Sequence, residues 1–278
     1  MDDLIGRTAV VTGAASGIGF GLAERFAAEG MRVVLADVEQ GALAAAAESL
    51  AAGGAEVLPV VTDVADAESV GALADAAYER FGSVHVLCNN AGVGSGGLIA
   101  ELSLADWQWV LGVNLWGVIN GLHAFLPRML AGGEPGHVVN TASLAGHVAG
   151  PFMGPYSASK FAVVAISESL YHEMNMQGGA IGVSVLCPGW VNTNIHSSER
   201  NRPPALGGGA GRADDGRADM LKQMLATGMP PAEVASLVLQ AIREDHFYVL
   251  THPDMTPAVE TRMKAIVEGA NPALQMIG

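Results

Sequence analysis

The feature that most constrains the fold is a regular alternation between short β-branched runs and longer Ala/Leu-rich stretches with helical spacing. The runs are apolar throughout, as expected of parallel strands that are buried on both faces. Strands that alternate with helices predict repeated βαβ units, with helices covering both faces of a parallel sheet. We predict strands over 8–12, 32–37, 56–61, 84–89, 137–141, 181–186 and 247–251, and helices over 17–30, 39–52, 66–81, 104–131, 155–177, 230–243 and 254–269.

Length and charge limit the domain organisation and the partners that this sequence allows. The 278 residues suffice for a sizeable core, and no charged block or Ser/Pro-rich linker divides them, so we expect one domain over 1–278. The net charge of −14 argues against nucleic acid and anionic membrane surfaces as partners. No apolar run approaches the roughly 18 residues of a membrane span, and the acidic N-terminus does not resemble a signal peptide. We therefore expect a cytoplasmic protein.

The cysteines and histidines indicate no metal chemistry. Cys88 and Cys187 each end an apolar run, which favours buried free thiols over a disulfide or a metal pair. His147 and His196 have no carboxylates or thiols clustered with them at ligand spacing. We therefore predict no metal site.

A glycine-rich turn, TGAASGIG at 12–19, follows the first predicted strand and leads into a helical pattern. Glycines there let the backbone approach a pyrophosphate, while the new helix directs its N–H groups at it. The spacing is G-x-x-x-G-x-G rather than the common G-x-G-x-x-G, and an ordinary strand–helix turn is the alternative. Asp37 ends the second strand, where a carboxylate can accept hydrogen bonds from a ribose diol. Together these features predict a dinucleotide site.

Asp37 also predicts which dinucleotide is bound. The 2′-phosphate of NADP would meet a like charge at this position. Ser16 and Val38, the expected neighbours, are neutral, and no Arg or Lys lies near Asp37 in the sequence to offset the repulsion. The sequence therefore predicts NAD over NADP.

A second motif, YSASK at 156–160, follows Gly154-Pro155. Proline suits the first helical position, so Tyr156 and Lys160 should lie one turn apart on one helix face. To act as a base near neutral pH, the tyrosine must have its pKa lowered by about 3 units. A cation about 4 Å away supplies that order of energy. Such pairs also arise by chance, as an exposed tyrosine and a solvated lysine, so the rest of the chain decides between the two readings.

The motifs together resemble those of the short-chain dehydrogenase/reductase family, in its compact single-domain branch. They extend from residue 5 to about 195, and comprise TGAASGIG at 12–19, Asp63-Val64, NNAG at 89–92, Asn114, Ser143, YSASK at 156–160 and PGWVNT at 188–193. The resemblance implies a Rossmann-type, doubly wound parallel sheet of seven strands in the order 3-2-1-4-5-6-7. It also implies an NAD-dependent alcohol dehydrogenase or ketoreductase that forms a homotetramer or homodimer.

The resemblance assigns catalytic roles residue by residue. Tyr156 would accept the alcohol proton, and Ser143 would hold the substrate oxygen. Lys160 would stabilise the phenolate and bind the nicotinamide ribose, and Asn114 would anchor a water that links Lys160 to solvent. Cofactor contacts are implied for Gly13, Ser16, Gly17, Ile18 and Gly19 at the pyrophosphate, Asp37 at the ribose, Asp63 and Val64 at the adenine, Asn90, Ala91 and Gly92 beside the adenosine ribose, and Pro188, Gly189, Val191 and Thr193 at the nicotinamide.

The expected substrate is a bulky, apolar or aromatic secondary alcohol or ketone, because most pocket candidates are apolar. The phrases GVNLWGVINGLHAFLPRML, NTASLAG and NIHSSERNRP are similar to bacterial Cα-dehydrogenases, which oxidise the benzylic alcohol of lignin-derived aryl ethers. Residues 192–228 hold a Gly-rich, strand-free insert, which we interpret as a substrate lid or, alternatively, as a floppy excursion. The pocket candidates are Ser95, Leu144, His147, Met153, Trp190 and His196.

Two other functions share these motifs. A 3-oxoacyl (carrier-protein or CoA) reductase would use the same four catalytic residues, but it normally requires NADPH and a basic patch for the carrier. Asp37 and the net charge of −14 argue against it. A non-catalytic dinucleotide-binding scaffold would keep the fold, but such proteins usually lack the tyrosine or the lysine that this chain has.

Overall fold

The parallel sheet at the centre of the computed structural model has seven strands in the order β3-β2-β1-β4-β5-β6-β7. The structure describes residues 1, 3–207 and 217–274. The order confirms the predicted doubly wound sheet, and each strand lies within two residues of its predicted limits. The strands are β1 (Thr8–Thr12), β2 (Arg32–Asp37), β3 (Val57–Val61), β4 (Val86–Asn89), β5 (Gly136–Thr141), β6 (Ile181–Cys187) and β7 (Tyr248–Leu250).

Helices cover both faces of this sheet. The helices are α1 (Gly17–Ala28), α2 (Gln40–Ala52), α3 (Ala67–Phe81), α4 (Leu104–Leu111), α5 (Gly117–Gly132), α6 (Gly154–Met176), α7 (Arg217–Ala226), α8 (Pro231–Glu244) and α9 (Thr256–Glu268). The helix predicted over 104–131 is helical throughout, and a π-helical turn at Gly112–Trp116 inside it separates α4 from α5. Such insertions displace the helix axis locally and are frequent at functional sites.

Successive strand residues point into two different cores, as the alternation of side chains along a strand requires. Val11 and Leu35 face one core, which contains Phe26 of α1 and Ile242 of α8. Val10, next to Val11, faces the other core with Leu73 of α3 and Phe125 of α5. Burial on both faces is the physical reason why the strands are apolar throughout in the sequence.

One stretch, Leu104–Gly132, is long and apolar enough by composition to cross a membrane, within the part of the chain that the structure describes. The expectation that no apolar run comes near this length is therefore corrected. Val118, Phe125 and Met129 of this stretch are buried against the sheet. Packing inside the protein accounts for its apolar composition.

The insert between β6 and α8 contains more helix than the sequence predicted. Ile195–Asn201 and Pro204–Leu206 form two short 3-10 helices, and α7 follows. Residues 208–216 of the predicted lid lie outside the described residues. The described first part, residues 192–207, is called the 192–207 segment below.

Candidate active site

A cavity of about 1310 Å³ lies at the carboxyl ends of β1, β2, β4, β5 and β6. In doubly wound sheets, ligands bind at this edge, where the strand order reverses. The lining includes every residue predicted to contact the cofactor, namely Gly13, Ser16, Gly17, Ile18, Gly19, Asp37, Asp63, Val64, Asn90, Ala91, Gly92, Tyr156, Lys160, Pro188, Gly189, Val191 and Thr193. We call this part of the cavity the nucleotide half.

The glycine turn leaves no room for side chains. A Cβ on Gly19 would lie 2.0 Å from the carbonyl oxygen of Gly13, and a Cβ on Gly13 would lie 2.8 Å from the Cα of Ala91. Gly13 also has a φ of +68°, in the region that only glycine adopts readily. The close packing brings the N-terminus of α1 to the cavity wall, where its free N–H groups favour an anion such as a pyrophosphate.

The carboxylate of Asp37 is fixed at the end of β2 by two backbone N–H groups. Ala15 N donates to its Oδ2 at 3.0 Å, and Glu39 N donates to its Oδ1 at 3.0 Å. The side chain remains on the cavity wall, beside the glycine turn. A carboxylate in this position suits a ribose diol.

Thr12 joins the ends of β1 and β4. Its Oγ1 accepts hydrogen bonds from Asn90 N at 2.9 Å and Ala91 N at 3.0 Å, and it donates to Cys88 O at 3.3 Å. The Asn90 side chain in turn donates to Thr12 O at 2.9 Å. The sequence analysis did not include Thr12 among the site residues, although it is the first residue of the TGAASGIG motif.

Three of the predicted catalytic residues meet on the cavity wall. Ser143 lies two residues after the end of β5. Tyr156 and Lys160 lie in the first two turns of α6, which begins at Gly154. Tyr156 and Ser143 share a hydrogen bond. The Lys160 ammonium, only 3% exposed, lies 5.6 Å from the Tyr156 ring centre and donates to Thr141 O at 2.8 Å. A hydroxyl pair with a buried cation beside it can hold and move a proton.

The two ionisable groups here are shifted by burial. Burial raises the pKa of Tyr156, and the hydrogen bond with Ser143 offsets this shift only in part. Burial lowers the pKa of Lys160 to about 8. Desolvation of the phenolate dominates the shift of Tyr156, and the predicted stabilisation of the phenolate by Lys160 together with the positively charged nicotinamide ring stays a prediction. A phenolate at neutral pH needs a further positive charge in the cavity.

Asn114, the fourth predicted catalytic residue, lies behind the cavity wall in the π-helical turn. It is fully buried, and its Oδ1 accepts from Val93 N at 2.8 Å. Its Nδ2 donates to Val93 O at 3.0 Å and to Ser159 Oγ at 3.2 Å. Its side chain therefore ties the segment after β4 to α6, and its water link to Lys160 stays a prediction.

The rest of the cavity, which we call the substrate half, is largely apolar. Its lining includes five of the predicted pocket residues, Ser95, Leu144, Met153, Trp190 and His196. It also includes apolar residues that the sequence analysis missed, namely Trp109 and Trp116 beside the π-helical turn, Leu206, and Leu221, Met224 and Leu225 of α7. The only signal for these residues was the aromatic and Met-rich composition of their helices.

The prediction that His147 lines the pocket was wrong. The residue follows the short 3-10 turn Leu144–Gly146 and does not line the cavity. His147 Nε2 lies 3.3 Å from Cys187 Sγ, and the ring packs at 6.0 Å against Tyr248. Burial lowers the pKa of His147, so the ring is neutral at physiological pH.

A buried ion pair holds the 192–207 segment against α4. Arg202 Nη1 donates to Asp106 Oδ1 at 2.6 Å, and the two side chains are 3% and 2% exposed. Burial alone would raise the pKa of Asp106, but hydrogen bonds from Ser103 and Arg202 bring it below its ordinary value. The Arg202 guanidinium also donates to Leu206 O at 3.3 Å and lies 5.3 Å from the Trp109 ring. This pair fixes one wall of the substrate half.

A second arginine of the same segment reaches the nucleotide half. Arg200 lines the cavity together with Asp37, and its Nη2 donates to Glu39 Oε1 at 2.7 Å. No Arg or Lys lies near Asp37 in the sequence, but the fold brings Arg200 into the lining of the same cavity. The sequence could not show it, because Arg200 lies far along the chain from Asp37.

The two cysteines are in the state that the sequence predicts. Cys88 and Cys187 are buried free thiols, which confirms that prediction. Across residues 1, 3–207 and 217–274, no three His, Cys, Asp or Glu side chains are grouped so that they could hold a metal ion.

Comparison with known proteins agrees with this site. Residues 7–204 match the short chain dehydrogenase family. A solved short chain dehydrogenase/reductase from Burkholderia phymatum in complex with NAD is 47% identical, with a TM-score of 0.96 and 99% coverage of both chains. The 1-deoxy-11-beta-hydroxypentalenate dehydrogenase of Streptomyces avermitilis is 41% identical over 249 residues, which cover 89% of this chain and 85% of that protein. The C alpha-dehydrogenase of a Sphingobium species is 34% identical over 273 residues, covering 98% and 89%.

The chain therefore belongs to the short-chain dehydrogenase/reductase family of oxidoreductases. The similarity to a C alpha-dehydrogenase, which the sequence motifs suggested, is also confirmed.

Proposed function

We propose that the protein is an NAD-dependent oxidoreductase that interconverts a secondary alcohol and a ketone on a bulky apolar or aromatic substrate. One observation carries the proposal. Ser143, Tyr156 and Lys160 line a single cavity that has a glycine turn with Asp37 at one end and an apolar wall at the other. A hydride acceptor and an apolar alcohol can therefore meet at the hydroxyl pair.

The residues of the nucleotide half fit NAD. The glycine turn has no space for a Cβ at Gly19, which leaves the α1 N-terminus free to approach a pyrophosphate. The fixed Asp37 carboxylate suits a ribose with a free 2′-hydroxyl. The Burkholderia phymatum protein, so similar over its whole length, was solved with NAD.

In the oxidation direction, the chain's own residues position and deprotonate the alcohol. Ser143 donates a hydrogen bond to the substrate oxygen and holds it next to Tyr156 Oη. Tyr156 takes the hydroxyl proton as general base, and the buried Lys160 ammonium stabilises the phenolate. Bound NAD would supply a hydride acceptor for the carbinol carbon and the positive charge of its ring. Reduction uses the same groups in the opposite order.

The apolar wall supports a bulky substrate. Trp116, Trp190 and Met224 present apolar surface to the cavity, and a sugar or a small polar alcohol would leave that surface in contact with water. The relatives include a C alpha-dehydrogenase and a 1-deoxy-11-beta-hydroxypentalenate dehydrogenase. We propose aryl carbinols, such as the benzylic alcohols of lignin-type aryl ethers, as the first class to test.

The experiment is a dehydrogenase screen with NAD over benzylic, steroidal and aliphatic secondary alcohols, following NADH absorbance. We expect turnover on at least one aryl carbinol. Tyr156→Phe should lower kcat by about 10³-fold or more while NAD still binds, because the general base is lost. Tyr171→Phe, on the same helix but outside the cavity lining, is the matched control and should retain activity. Turnover that survives Tyr156→Phe would overturn the mechanism, and no activity on any aryl carbinol would remove the substrate class.

A further inference from the structure

Arg200, which lines the cavity together with Asp37, has a partner that neutralises it. Glu39 Oε1 accepts hydrogen bonds from Arg200 Nη2 at 2.7 Å, Arg200 Nε at 3.1 Å and Asn201 Nδ2 at 2.8 Å. The hydrogen bond from Asn201 is the main cause that lowers the pKa of Glu39, so its carboxylate is ionised at neutral pH. Asp37, Glu39 and Arg200 together carry a net charge of −1 on this stretch of wall.

Arg200 is held in place independently of Glu39. Its Nη1 donates to Ser197 Oγ at 2.9 Å, to Ser197 O at 3.0 Å and to Asn194 O at 3.3 Å. These contacts all lie within the 192–207 segment, which the buried Arg202–Asp106 pair fixes to α4. The edge of the guanidinium formed by Nε and Nη2 is the edge that Glu39 occupies. The same edge binds phosphate through two parallel N–H donors when no carboxylate covers it.

An arginine in the ribose region normally favours NADP, because it accommodates the 2′-phosphate. In this chain such an arginine is present, yet Glu39 occupies its donor edge. Glu39 lies two residues after Asp37, and its backbone N–H also helps to fix the Asp37 carboxylate. The two acidic residues therefore both favour NAD over NADP. Asp37 repels the 2′-phosphate, and Glu39 occupies the arginine that would otherwise bind it.

We propose that Glu39 is a second determinant of cofactor selectivity, which prevents Arg200 from binding the 2′-phosphate of NADP. This rests on the proposed function, since it presumes that the cavity binds a nicotinamide dinucleotide. Removal of Asp37 alone brings the local charge from −1 to 0 but leaves the Arg200 donors occupied. Removal of both acidic side chains brings it to +1 and frees those donors. A full change of cofactor preference from NAD to NADP therefore needs both substitutions in a protein that keeps Arg200.

The test measures dissociation constants for NAD⁺ and NADP⁺ by isothermal titration, which needs no substrate. The variants are Asp37→Asn, Asp37→Asn with Glu39→Gln, and the same pair with Arg200→Met. We expect the double variant to bind NADP⁺ at least tenfold more tightly than Asp37→Asn alone, and the triple variant to lose that gain. The gain should also shrink as salt is raised, because the phosphate contact is charged and Arg200 is 38% exposed.

Two results would overturn the proposal. One is an unchanged ratio of NADP⁺ to NAD⁺ affinity when Glu39→Gln is added to Asp37→Asn. The other is a gain that persists in the triple variant, which would show that Arg200 is not the phosphate contact. Glu39 and Arg200 are both partly exposed, so the variants should fold, and thermal melting checks this. Wild-type protein that binds neither dinucleotide would instead refute the proposed function.

Discussion

The two halves of the cavity are built in different ways. The nucleotide half consists of strand ends and turns, and its contacts are set by backbone atoms and by the absence of side chains at Gly13 and Gly19. The substrate half consists largely of apolar side chains, including residues of α4 and α7, and the Arg202–Asp106 pair fixes the 192–207 segment beside it. A half made of backbone tolerates few substitutions, whereas a half made of apolar side chains can change in shape while the fold stays the same.

The largest effect on NAD affinity should come from adding a side chain to the glycine turn. In Gly19→Ala the new Cβ would lie 2.0 Å from Gly13 O, so the turn must open. Overpacking of this kind costs about 1–3 kcal/mol. We expect NAD affinity to fall by at least about tenfold, since each factor of ten corresponds to about 1.4 kcal/mol. The measurement is titration with NAD⁺, together with urea unfolding.

Gly71→Ala in α3 is the matched control for this substitution. A Cβ there meets no atom within 4 Å, and the helix continues on both sides of it. Alanine should stabilise the helix by up to about 1 kcal/mol and leave NAD binding unchanged. Equal effects of the two substitutions would show that the glycine turn is not especially constrained.

The largest effect on the free energy of unfolding should come from the buried ion pair of the substrate half. Arg202→Met leaves the Asp106 carboxylate buried without its cation, which typically costs about 3–5 kcal/mol of unfolding free energy. The apolar wall should loosen, so KM for the alcohol should rise more than the dissociation constant for NAD⁺. Urea unfolding and steady-state kinetics measure both quantities. A loss below about 1 kcal/mol would contradict a fixed substrate wall.

Acid should lower the free energy of unfolding through His137, which lies at the end of the sheet away from both halves of the cavity. Burial lowers the pKa of His137, near the start of β5, to about 3, against about 6.5 when unfolded. The unfolded chain therefore binds one more proton below pH 6.5, so stability is present above that pH and falls as the pH decreases. At pH 5, protonation of His137 in the unfolded chain lowers the free energy of unfolding by about 2 kcal/mol relative to its value well above pH 6.5.

His137→Gln tests that assignment. Urea unfolding between pH 7 and pH 5 should show a shallower loss of stability in the variant than in the wild type. Its NAD affinity at pH 7 should be unchanged, because His137 lies outside the cavity lining. Identical pH slopes for the two proteins would assign the acid sensitivity to other groups.

The smallest effect on stability should come from Arg200→Met, two residues before Arg202. Arg200 and Glu39 are 38% and 31% exposed, and exposed ion pairs contribute about 0–1 kcal/mol. The same kind of substitution should therefore cost several times less here than at Arg202. A comparable loss at both positions would show that the 192–207 segment depends equally on its two anchors. The comparison uses the same urea unfolding measurement for both variants.

The fold and the nucleotide half could be predicted because their requirements are local in sequence. Three local features each indicate one physical requirement: the glycine spacing, Asp37 at a strand end, and the apolar strands. The substrate half could not be predicted in the same way. Asp106 and Arg202 are far apart in the chain, and each alone looks like a surface residue. The His147 ring contacts Cys187 and Tyr248 instead of lining the pocket, and both partners are far from it in the sequence.

The hydrogen bonds of Thr12 have a consequence for how fast the protein folds. They join β1 to the Asn90 segment after β4, which lies 78 residues later in the chain. Each pair of neighbouring strands in the described sheet is parallel, so no pair can form through a short hairpin. Closing such long loops costs entropy before any contact stabilises the chain, which makes folding slow. The nucleotide half should therefore appear only at a late step, when β1 pairs with β4.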